Sequence, residues 1–158
     1  MKVEFDFRFP KSLSPRCRSI IKKAVLKTIR TLPKQAARKL KKKNCYSLSV
    51  SIVNDSQMKK LNRRFRKKNR TTDVLSFPQL EGKQFLTAHP EIGDVIISLP
   101  TARRQAKEYG FTLELELARL TIHGVLHLFG YDHERSRKDE KKILSIHVDD
   151  SPDSGTGC

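Results

Sequence analysis

Between Thr112 and Gly130 the chain carries an almost unbroken apolar stretch, LELELARLTIHGVLHLF. Leu113, Leu115, Leu117, Leu120, Ile122, Val125, Leu126 and Leu128 leave no polar stripe wide enough to face water. A helix apolar on nearly all sides belongs at the centre of a domain. Thr112 opens it, and Gly130 stops it. A chain of 158 residues is one domain, long enough to bury a core around such a helix.

The remaining pattern supplies the elements that cover it. Residues 3 to 9, VEFDFRF, alternate strictly and predict a half-buried strand. Ser14 before Pro15 pairs a good N-cap with a good first helical residue. Ile20, Ile21, Ala24, Val25 and Ile29 then recur at helical spacing until Pro33, and residues 34–44 read as a short, frayed basic helix. Leu48, Val50 and Ile52 alternate with serines in a second strand. Asp55 is read as the cap of the next helix, with Met58, Leu61 and Phe65 facing inward. DVLSF, 73–77, closed by Pro78, is a third strand. IGDVIIS, 92–98, is a fourth, with Gly93 at a bulge or close approach. A helix from about Thr101 ends at Gly110, a C-terminal capping glycine. A final amphipathic helix over about 136–146 turns Ile143 and Leu144 inward. Four strands and four or five helices, without steady βαβ alternation, predict a single α+β domain over residues 1–147, followed by a polar, disordered tail over 148–158.

Three of the five histidines lie within HGVLHLFGYDH, 123–133. His123 and His127 are one turn apart on the same helical face and can share one ion. Gly130 can adopt the left-handed conformation that swings the chain back and brings His133 to the same place. Three imidazoles with one open position are the plan of a catalytic zinc site. A single histidine on an apolar helix is more often a hydrogen-bonded core residue, but three at this spacing outweigh that reading. Asp132 either orients an imidazole or serves the turn. His89 and His147 have no assigned role. The spacing equals the metzincin pattern H-E-x-x-H-x-x-G-x-x-H, except that Gly124 stands where those peptidases carry their general base. The only methionines are Met1 and Met58, so the Met-turn is missing as well. Peptidase chemistry is disfavoured, and Gly124 is read as an open floor beside the metal that admits a bulky substrate.

Thirty-three Lys and Arg against seventeen Asp and Glu give a net charge of +16, which favours a polyanionic partner, nucleic acid or the ribosome. The charge is clustered. KKLNRRFRKKNR, 59–70, sets Lys59, Lys60, Arg63, Arg64, Lys67, Lys68 and Arg70 beside an apolar stripe, and RKLKKK with Leu40 interleaved adds a second patch. Such density neutralises phosphates. Phe65, Phe77 and Tyr131 are candidate base-stacking partners, with core packing the first expectation for Phe65. A metal site facing a basic surface suggests phosphodiester hydrolysis, with an arginine on the transition-state charge. The three cysteines, Cys17, Cys45 and Cys158, show no zinc-finger spacing and read as reduced thiols. MKVEFDFRFPK has no signal-type apolar core, and no apolar run approaches a membrane span. A cytoplasmic protein is expected.

HGVLHLFGYDH closely resembles the H-G-x-L-H-L-x-G-Y-D-H signature of the YbeY family of rRNA maturation factors. LNRRFRKKNRTTDVLSFP, 61–78, and IGDVIIS agree in order, so the resemblance covers roughly residues 46–147. The proline common before the T-D-V-L-S-F segment is Thr71 here. The resemblance implies a single-domain α+β fold with a small mixed sheet and a zincin-like site of three histidines. It implies a single-strand-specific endoribonuclease acting in 16S rRNA 3′-end maturation and ribosome quality control. His123, His127 and His133 would be the ligands of one zinc ion, or of nickel or another divalent metal. Arg66 would contact substrate or transition-state phosphate. The implied partners are rRNA and the small ribosomal subunit, with one of its proteins. The competing expectations are an assembly factor that binds RNA around a mainly structural metal and, behind it, a metallopeptidase.

Overall fold

The structure is a computed structural model that describes residues 2–40, 45–80 and 89–131. The elements run β1 (Lys2–Arg8), α1 (Pro15–Arg30), α2 (Lys34–Ala37), β2 (Cys45–Val53), α3 (Asp55–Arg66), β3 (Val74–Pro78), β4 (Glu91–Ser98), α4 (Leu99–Tyr109) and α5 (Leu113–Leu128). They form an α+β fold with a four-stranded mixed sheet in the order β1-β2-β4-β3. β1, β2 and β4 are parallel, while β3 runs antiparallel at the edge. The expected final helix and tail, with His133, Asp132 and Cys158, lie outside the described residues.

The apolar run of α5 is central. Leu117, Leu120, Val125 and Leu128 pack with Leu48, Val50, Ile92, Val95 and Ile97 of the sheet and Ile21 and Val25 of α1. Ala118 and Ile122 meet Ala24 of α1, where small residues let the helices approach closely. The one acidic group buried within α5, Glu116, is held by the Arg119 guanidinium through bonds of 3.0 and 2.7 Å.

The caps follow local chemistry, with two corrections. Ser14 accepts from the Cys17 amide and Thr112 from the Leu115 amide, as expected. The cap of α3 is Asn54, not Asp55. Its side chain accepts from the Gln57 amide while Gln57 bonds the Asn54 amide, a reciprocal box that Asp55 cannot form from inside the first turn. α4 starts at Leu99, before Thr101, because Ser98 caps it and Pro100 fits its first turn.

Gly93 combines both expected features. Its φ is 143°, and the register with β2 shifts beside it, from Ser47 opposite Glu91 to Leu48 opposite Gly93. A Cβ there would sit 2.3 Å from the Phe77 carbonyl oxygen. Cys17 and Cys45 are unpaired thiols, and no helix among the described residues is long and apolar enough to cross a membrane.

Candidate active site

α5, α3 and β3 enclose a cleft of about 310 Å³. His123, Gly124, His127 and Tyr131 line one side. Asn62, Arg66, Lys68 and Arg70 line another, and Thr72, Val74, Leu75 and Ser76 complete it. The two histidines therefore share one cavity, as their spacing of one helical turn requires. The chain leaves α5 in the expected way. Gly130 has φ 84°, its amide bonds the His127 carbonyl at 3.0 Å, and the Tyr131 amide returns to the Leu126 carbonyl at 3.2 Å. Lys39 Nζ donates to the Phe129 carbonyl at 3.3 Å and secures this turn. The turn points Tyr131 into the cleft two residues before His133.

Gly124 has a different role from the one its chemistry suggested. A Cβ at this position would lie 2.5 Å from Val95 Cγ1 and 3.3 Å from Val74 Cγ2. The Gly124 carbonyl also accepts the Ser76 hydroxyl at 3.0 Å. Glycine is the contact that lets α5 lie directly on β3 and β4, rather than an open floor for substrate. A glutamate here would drive its side chain into the sheet, so the peptidase base has no room in this packing.

Arg66, in the last turn of α3, points to the cleft and donates from Nη2 to the Ser76 carbonyl at 3.1 Å. Sequence reasoning missed the residue that arranges its neighbours. Asn62 is buried one turn before Arg66. Its side chain donates to the Arg70 carbonyl at 2.8 Å, and its backbone carbonyl accepts the amides of Lys67 and Lys68. Lys67 has the left-handed φ of 56°, so the chain doubles back and returns Lys68 and Arg70 to the cleft. A polar residue in a basic helix looks solvated; its position four residues after Met58, on the inward face, was the available signal.

The expected inward face of α3 is corrected at Phe65. Met58 and Asn62 are buried, whereas Phe65 is 53% exposed. The helix carries its inward stripe along positions 58 and 62, four apart, and Phe65 falls to its side. Its ring meets the Phe77 ring edge-on at 5.1 Å. Lys59, Lys60, Arg63 and Arg64 are exposed along α3. Among the described residues none of the eight basic side chains of 59–70 is in an ion pair with a carboxylate.

Behind the cleft, Asp55 ties three elements together. Its carboxylate accepts from Thr71 (3.1 Å), Ser98 (2.7 Å), Thr101 (2.7 Å) and Arg104 (2.7 Å). Burial opposes its charge, but these four donors outweigh burial and hold the carboxyl well below the usual carboxylate range. The bond from Thr71 depends on its hydroxyl, which fixes the segment before β3 to the start of α3.

The family profile described as Endoribonuclease YbeY matches residues 14–149. The chain belongs to the YbeY family. It is 52% identical over 99 residues to the Endoribonuclease YbeY of Myxococcus xanthus, covering 63% of this chain and 33% of that protein. It is 50% identical over 103 residues to the Aquifex aeolicus Endoribonuclease YbeY, covering 65% of this chain and 67% of that one. The matched stretch thus spans about a third of the Myxococcus relative's length and two thirds of the Aquifex relative's. A Thermotoga maritima protein solved in solution has the same fold, with a TM-score of 0.54 over 92% of this chain and 87% of that chain at 24% identity.

Among the described residues no group of three His, Cys, Asp or Glu side chains could hold a metal ion. The cleft presents two donors of the right kind, His123 and His127, on one helical face. The third expected ligand, His133, falls beyond the Gly130 turn. This donor chemistry fits a divalent ion with nitrogen ligands.

Proposed function

We propose that this chain is a metal-dependent endoribonuclease that cuts single-stranded RNA and acts in 16S rRNA 3′-end maturation and ribosome quality control in the cytoplasm. The observation that carries the reading is the meeting of His123 and His127 with Arg66, Lys68 and Arg70 around one cleft. Membership of the YbeY family supports it. The proposed ligands are His123, His127 and His133, holding one zinc ion or another divalent metal such as nickel. Asp132 is a candidate to orient an imidazole. A divalent ion held there supplies Lewis-acid polarisation of a phosphoryl oxygen.

The protein's own part is placement and charge. Arg66 is anchored by one bond to Ser76, and a guanidinium has five donors in a rigid fork. The others suit a phosphate whose charge grows during cleavage. Lys68 and Arg70 neutralise flanking phosphates, and Lys59, Lys60, Arg63, Arg64 and Lys67 extend the basic path along and beyond α3. The proposed partner is rRNA on the small subunit, with one of its proteins alongside.

Arg66→Ala tests the assignment. Cleavage of a single-stranded RNA spanning a 16S 3′ end should fall by about 100-fold or more, the size of a lost transition-state donor. Metal content should stay at the unaltered level, because Arg66 is assigned to phosphate. Loss of metal in this variant would refute its role.

A further inference from the structure

We propose that Phe65, braced by Phe77, is a stacking platform for an unpaired base of single-stranded RNA whose neighbouring phosphate enters the Arg66 cleft. The inference rests on the RNA reading of that cleft and adds a base-binding subsite outside it. Phe65 is the most exposed large hydrophobic side chain among the described residues, at 53%. Leaving an aromatic ring in water forgoes the stabilisation that burial would give it. Yet the ring is held. Phe77 meets it edge-on, with centroids 5.1 Å apart and planes at 63°, and the Arg64 guanidinium carbon lies 5.2 Å from its centroid.

Its place in the fold says what would cover it. Arg66 follows Phe65 on α3 and bonds the carbonyl of Ser76; Phe77 follows Ser76 on β3. The aromatic pair therefore sits beside the cleft, one residue away from it along both elements. Along the chain the ring is flanked by Arg63, Arg64, Arg66, Lys67 and Lys68, none of them in an ion pair with a carboxylate among the described residues, and Asp94, opposite Phe77 on β4, is engaged by Ser49 and Gln79. A protein partner would need acidic groups across the whole patch. Single-stranded nucleic acid supplies both complements at once, phosphates for the cations and a π-face for the ring. A duplex keeps its base faces stacked inside and cannot use the ring.

The test uses the full chain and a single-stranded oligoadenylate. Phe65→Leu keeps an apolar side chain but has no π-face. Its affinity should fall about tenfold, within the range for one stacked base. The salt slope should not change, because no phosphate contact is lost. Phe65→Trp should retain affinity and introduces the chain's only tryptophan. Its fluorescence should be quenched by oligoadenylate and not by inorganic polyphosphate, which carries charge without bases. Unchanged affinity in Phe65→Leu, or equal quenching by polyphosphate, overturns the platform and leaves the RNA reading standing. Failure of the unaltered chain to bind any RNA overturns both.

Discussion

Asn62 shows how one side chain can shape the cleft without being charged. Its side-chain amide ties the end of α3 to the Arg70 carbonyl, while its backbone carbonyl takes the Lys67 and Lys68 amides. Without the side chain, the Arg70 carbonyl loses its donor, and the segment that follows the left-handed Lys67 is no longer tied back to α3. Asn62→Ala should therefore lower stability by about 1–3 kcal/mol, the cost of stranding a buried polar group. It should also weaken RNA binding, because Lys68 and Arg70 lose their fixed places, while metal content stays constant. Urea unfolding, RNA titration and metal analysis on the same preparation check this; unchanged stability would mean that the loop holds its own shape. Gly124 makes a complementary point. The residue that separates this chain from the peptidase pattern is explained by Val95 and Val74 pressing against it.

At the scale of elements, α3, β4 and α4 converge on Asp55. Its carboxyl titrates below the range it has in an unfolded chain, so it stabilises the fold at neutral pH. That contribution is fully present above about pH 5 and is lost as pH falls below the unfolded value of roughly 3.9. Asp55→Asn should be less stable than the unaltered chain at about pH 7, with the difference shrinking towards about pH 3. A constant difference across that range, measured by urea midpoints, would show that the carboxylate's charge is not what the four donors recognise. Much at this scale was legible in the sequence. Alternation marked the strands, Ser14 and Thr112 marked two helix starts, and the apolar run of α5 marked the centre. Asp55 and Phe65 were misread for physical reasons. A cap depends on which of two neighbouring polar residues completes a reciprocal pair, and here Gln57 selected Asn54. An aromatic residue near an apolar stripe reads as core until the rotation of the helix against the sheet is known. The edge position of β3, which opens the cleft to Arg66, is a matter of strand order and has no local signature.

For the whole molecule, the charge of +16 becomes informative once part of it is seen to surround a cleft. RNA affinity should fall linearly in log–log form as salt rises, because each neutralised phosphate releases counterions. Arg70→Ala should make that slope shallower by about 0.7, the share of one phosphate on a single strand. An unchanged slope would place the RNA elsewhere. The pairing of histidines was readable from spacing alone, since a helix puts i and i+4 on one face. Which basic residues join them was not, because Lys68 and Arg70 reach the cleft only through the reversal at Lys67.

On the proposed function, the histidines of α5 build a metal centre that cuts RNA. The most direct measurement compares the unaltered chain with His127→Ala, at matched purity, for cleavage of a single-stranded RNA spanning a 16S 3′ end, with metal content determined on both. Cleavage and metal should disappear together in the variant. Equal cleavage by both proteins would contradict the claim and leave the cleft as an RNA-binding surface.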